Sequence, residues 1–180
     1  FTFTLLFFII LGTLQAKAQS TNIEHQVYLL GNTTDIDMES PFYDSLSSVF
    51  PSTAPFTVIL NGDLINSGYT KEPTFQDSLK IDKLLRSITT FKNGKVVIIP
   101  GDRDWANSRK KGLSSVNKLE KLIKSMDFNN VKWAIKKGCP GPDIIDITEH
   151  LILVSINTQW YNHPFEKPDA TTAECGIATE

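Results

Sequence analysis

Four short apolar runs, separated by longer amphipathic stretches, constrain this chain more than any other feature. Val27–Leu30 (VYLL), Phe56–Leu60 (FTVIL), Val96–Ile99 (VVII) and Leu151–Ile156 (LILVSI) are β-branched or aromatic and bounded by Gly, Asn or Pro. Each reads as a buried strand. Between the second and third, Phe75, Leu79, Leu84, Leu85 and Ile88 recur at helical spacing after Thr74, which can cap with Asp77. Between the third and fourth, Leu113, Val116, Leu119, Leu122, Ile123 and Met126 form a second apolar stripe. Lys118, Glu120, Lys121 and Lys124 fall on the opposite side and read as a solvated face. A shorter helix is expected over Phe42–Phe50, ending at Pro51, and Val131–Ile135 with Ile144–Ile147 read as a further strand pair. Strands alternating with helices predict an α/β fold, a mostly parallel sheet with helices on both faces.

At 180 residues the chain holds one or two domains. Hydrophobic residues at 41% supply a core, and 18 Lys+Arg against 20 Asp+Glu argue against a basic nucleic-acid binder. Residues 1–12, FTFTLLFFIILG, carry no charge and precede Ala16-Lys17-Ala18. An apolar core followed by A-x-A is how a secretory signal peptide reads, and the run is about half of the roughly 20 residues a membrane span needs. The expectation is a signal peptide over 1–18, export to the periplasm, cell envelope or medium, no membrane span after cleavage, and a domain over 19–180. In an oxidising compartment Cys139 and Cys175 can form one bridge, the alternative being two separate buried thiols. Neither has a second Cys or His at zinc-finger spacing.

In open α/β sheets ligands bind outside the carboxyl ends of the strands. Three strands here end in glycine and a polar or acidic residue: Gly31-Asn32-Thr33-Thr34, Gly62-Asp63-Leu64-Ile65-Asn66 and Gly101-Asp102-Arg103-Asp104-Trp105. Carboxylates gathered from such loops make an oxygen-rich site suited to a hard or borderline divalent metal. No G-x-G-x-x-G loop, P-loop or G-x-S-x-G elbow occurs, which leaves little support for nucleotide binding by those routes or for a serine hydrolase.

VILNGDLINSG and VVIIPGDRDW resemble the second and third metal motifs of calcineurin-like metallophosphoesterases. The segment from Gly138-Cys139-Pro140-Gly141-Pro142 to Asn157-Thr158-Gln159-Trp160 is similar to a stretch in exported bacterial members, some of them purple-acid-phosphatase-like. The resemblance spans roughly residues 24–176. It implies an αββα sandwich, one or two divalent metals (Mn, Fe or Zn) and a phosphate-ester substrate. It also implies Asp63, Asp102 and Asn32 as metal ligands, with Arg103 and Asp104 as catalytic residues.

The departures from the family pattern are specific. Asn32 stands for the Asp of the first motif, Thr34 for the His of its Asp-x-His variant, and Asn66 for a Tyr. Asp102 replaces a metal-binding Asn and keeps an oxygen ligand, while Arg103 replaces a His. An arginine cannot give up its proton near neutral pH, although it can bind phosphate by a bidentate contact. Later Gly-His and Gly-His-x-His motifs are absent, and His25, His150 and His163 match no ligand position. Two functions stay open: an exported metal-dependent phosphoesterase of which this is the N-terminal part, and a catalytically degenerate domain that binds a phosphorylated ligand, a partner or the envelope.

Overall fold

The computed structural model describes residues 23–50, 53–66, 73–172 and 174–176. The expected signal peptide lies outside them. Four strands, β1 (Gln26–Leu30), β2 (Phe56–Asn61), β3 (Gly94–Ile99) and β4 (Val131–Trp133), form one all-parallel sheet in the order β1-β2-β3-β4. The connections carry α1 (Phe42–Val49), α2 (Phe75–Thr89) and α3 (Gly112–Ser125). Thr74 and Asp77 close a reciprocal capping box at the start of α2, with the Thr74 amide donating to Asp77 at 2.8 Å and the Asp77 amide to Thr74 Oγ1 at 3.1 Å.

Parallel strands are joined by right-handed crossovers, so a sheet that always steps in one direction puts every crossover helix on the same face. The core agrees: Val58, Leu60, Val96 and Ile98 pack with Leu46 of α1, Leu85 of α2 and Leu119 of α3 in a single cluster. The expectation of helices on both faces is therefore corrected. The second face is covered by an antiparallel hairpin, β5 (Asp143–Thr148) and β6 (Leu151–Ser155), which seats Ile145, Ile147 and Leu153 against Val97 and Ile99.

This arrangement corrects two further readings. Val131–Trp133 joins the parallel sheet beside β3, and β5 pairs with β6, so the two segments do not pair with each other. The LILVSI run is not a buried strand, because alternation turns Ile152 and Val154 outward, 57% and 50% exposed, and leaves Ser155 inside. On α2, Phe75 and Leu79 stay exposed, and Ile81 joins Leu84, Leu85 and Ile88 in the core. Cys139 and Cys175 are bridged, with Cα atoms 5.3 Å apart, which ties the end of the described chain to the turn entering the hairpin. Among the described residues no helix is long and apolar enough to cross a membrane.

Candidate functional site

The three glycine-ended strands bring their loops together at the carboxyl edge of the sheet. β2 and β3 lie in register with Asn61 opposite Ile99, so the loops that follow begin side by side. Gly62 and Gly101 then meet backbone to backbone. A Cβ on Gly101 would fall 2.5 Å from Asp63 Oδ1 and 2.8 Å from the Gly62 Cα, and one on Gly62 would fall 2.6 Å from the Gly101 Cα. Only glycine permits that approach, and it sets Asp63 beside Asp102.

Asn32 and Asp63 both hold left-handed backbone, with φ of 54° and 58°. Such a conformation in a non-glycine residue needs support from its surroundings. The Asn32 amide donates to the Gly62 carbonyl at 3.3 Å, and the Thr34 amide donates to the Asp63 carbonyl at 3.0 Å. Thr34 is buried and serves this backbone stitch.

Asp104 lies beneath the site rather than in it. Its side chain is fully buried, and its carboxyl accepts backbone amides from Gly101 (2.8 Å), Asp63 (3.0 Å), Leu64 (3.0 Å) and Ile65 (3.2 Å). Burial pushes this carboxyl up to about 7, against the opposing pull of the Gly101, Ile65 and Leu64 amides. Asp104 is thus a positioning residue that braces the second glycine loop on the third.

Arg103 is engaged by Asp35 and Asp63. Its Nη1 lies 2.9 Å from both Asp35 oxygens and its Nε lies 3.7 Å from Asp63 Oδ2, while its backbone amide donates to Asp63 Oδ1 at 3.2 Å. Asp35 follows Asn32 by three residues and was not legible as a site residue, since only the single turn of 3-10 helix over Thr33–Asp35 turns it toward the third loop.

Asn32, Asp63 and Asp102 line one cleft of about 610 Å³; Arg103 and Asp104 do not. The far wall comes from the hairpin layer, through Ser155 at the end of β6 and Thr158, which opens the short helix α4 (Thr158–Asn162). Neither stood out in the sequence, because nothing local announces that β6 folds back over the strand ends. The sheet never reverses its strand order, so this crevice lies between two layers and not at a topological switch point. Asn66 is exposed and outside the cleft lining.

The donor set can be tested against a metal. Burial raises the Asp63 carboxyl above the usual carboxylate range, the Arg103 amide opposes this, and the neighbouring Asp102 carboxylate raises it further. Asp63 beside a second carboxyl, with an amide oxygen in the same cleft, suits one hard divalent cation. Among the described residues no group of three or more His, Cys, Asp or Glu could hold a metal ion. The histidines lie elsewhere, His25 on Thr57 Oγ1 at 3.0 Å, His150 exposed, and His163 buried against Trp105 with ring centroids 4.9 Å apart. No family model matches this chain, and neither a curated protein nor a solved structure matches it.

Proposed function

We propose that the chain is part of an exported metallophosphoesterase-like domain that hydrolyses phosphate esters with the help of a divalent cation (Mn, Fe or Zn). The observation that carries this reading is the pairing of Asp63 with Asp102 at the strand ends, imposed by the Gly62–Gly101 contact. Asp63 and Asp102 would hold the cation, with Asn32 in the same cleft wall. A divalent cation supplies charge neutralisation at the phosphoryl oxygens and a more acidic water. The chain's own contribution is positional. Asp104 fixes the loop that carries Asp63, and the Arg103 Nε lies 3.7 Å from the Asp63 carboxylate. Arg103 offers a guanidinium for a phosphate oxygen if it leaves Asp35.

One observation favours the degenerate alternative. The Arg103 guanidinium sits between Asp35 and Asp63 and already partly neutralises Asp63, which lowers the demand for a metal. Turnover of a generic phosphomonoester with Mn²⁺, Fe or Zn²⁺ separates the two. Metal-dependent turnover lost in Asp63→Ala supports the hydrolase; no turnover and no bound metal in the protein leave the ligand-binding domain; turnover retained in Asp63→Ala refutes the site.

A further inference from the structure

Along α3 the fold concentrates positive charge that the sequence disperses. Two adjoining cavities of about 580 Å³ each share Leu113, Asn117 and Glu166 and form one groove between α3 and the segment after α4. Lys110, Lys111 and Lys118 line one half. Lys121 and Lys124 line the other, where Lys137 and Lys167 arrive from two separate turns. These lysines outnumber the lining acids Glu120, Glu166 and Glu174 by 4, in a chain whose net charge is -2.

Two features distinguish the groove from a solvated helix face. Its lysines come from three chain segments, and Lys124, Lys137 and Lys167 are held in place. The expectation that Glu120 lies on the solvated side is corrected, because Glu120 is buried, pairs with Lys124 Nζ at 2.5 Å and accepts the Lys137 amide at 2.7 Å. Lys167 Nζ donates to the Trp160 and His163 carbonyls, each at 2.9 Å, and the Cys139–Cys175 bridge fixes the residues beside Glu174. Second, Asn117, where the two cavities meet, has a buried side-chain carbonyl oxygen with no donor among the described residues. It faces the groove only if the Asn117 side chain turns, and a ligand hydroxyl there would then supply its missing donor.

We propose that this groove binds a linear acidic polysaccharide, its carboxylates or sulfates meeting the lysines and its hydroxyls meeting Asn117. The occupant follows from what lines the groove. Among the described residues no aromatic side chain does, so bases would have no stacking platform there as single-stranded nucleic acid requires. Among the described residues Leu113 and Pro168 are the only apolar ones that line it, too few to anchor an amphipathic surface in a bilayer. The helix alongside runs for 14 residues, about 21 Å of rise, enough for several sugar residues in a row.

The test is fluorescence anisotropy with labelled alginate oligosaccharides at low and physiological salt. Saturable, salt-sensitive binding is expected. Replacing Lys110 and Lys121 together by Ala should weaken it roughly 10- to 30-fold and make the salt dependence shallower. Lys92→Ala, an exposed lysine outside the groove, should leave it unchanged. Asn117→Ala should weaken alginate more than inorganic polyphosphate, and thermal melts check that each variant is folded. No saturable binding at low salt, an equal loss in Lys92→Ala, or tighter binding to an oligodeoxynucleotide or phosphatidylserine vesicles would overturn the proposal. None of these readouts involves Asp63 or Asp102, so the groove stands or falls separately from the hydrolase.

Discussion

Adding a single methyl group at three glycines measures how closely the site loops must approach. At Gly31 a new Cβ meets only the Asn61 carbonyl at 3.3 Å, a contact that a small shift relieves. At Gly101 it meets Asp63 Oδ1 at 2.5 Å, the Asp63 amide at 2.7 Å and the Gly62 Cα at 2.8 Å. Two of those three atoms are backbone, so the second and third loops must separate by several tenths of an ångström or more. Overpacking of this kind destabilises by about 1–3 kcal/mol. Gly62→Ala meets Gly101 at 2.6 Å and also places an L residue at a φ of 78°, which adds about 1 kcal/mol. The expected order of stability is Gly31→Ala above Gly101→Ala above Gly62→Ala. In a chain of this size each kcal/mol lowers Tm by about 2–4 °C. Differential scanning fluorimetry reads the order, and a divalent-ion titration should show weaker binding in Gly101→Ala than in Gly31→Ala. If Gly101→Ala were as stable and as competent as Gly31→Ala, the backbone contact would not be what positions Asp63.

Three other outcomes follow from the same geometry. The Asp104 carboxyl binds its proton more tightly in the folded chain than in the unfolded one, so its contribution to stability is present below about pH 4 and is lost as the pH rises through about 7. Asp104→Asn should flatten that window, by on the order of 4 kcal/mol, in denaturant melts across pH, and an unchanged profile would refute the assignment. Reducing the Cys139–Cys175 bridge, or replacing Cys175 by Ser, releases a closure spanning 36 residues and should cost about 4 kcal/mol by the chain-entropy relation, read as a fall in the urea midpoint. Glu120→Ala strands the Lys137 amide and the charge on Lys124, and a loss of about 1–3 kcal/mol is expected in the same assay.

The strands, the three longer helices and the three loops at the sheet edge were legible in the sequence because each follows from local pattern. β-branched runs, an amphipathic stripe and the Thr74–Asp77 cap specify an element without reference to its neighbours. The layer on which each element lands was not legible. VKW and DIIDIT look alike as short apolar runs, yet Trp133 is drawn into the helix-side core beside β3, while Ile145 and Ile147 pack on the opposite face of the sheet. The same limit applies to the site. Asp63, Asp102 and Asn32 were visible as residues that follow strands, but the burial of Asp104 depends on four amides from two different loops. Ser155 and Thr158 reach the cleft only because the hairpin doubles back, and Glu120 is buried only because the Lys137 turn packs on α3.

The central claim is that Asp63 and Asp102 form a cation site, and calorimetric titration of the protein with Mn²⁺ tests it most directly. One saturable equivalent is predicted, weakened as the pH falls because protonation of the raised Asp63 carboxyl competes with the ion, and abolished in Asp63→Asn and in Asp102→Asn when both variants melt as folded proteins. No saturable binding to the wild-type chain, or binding that survives both substitutions, would contradict it.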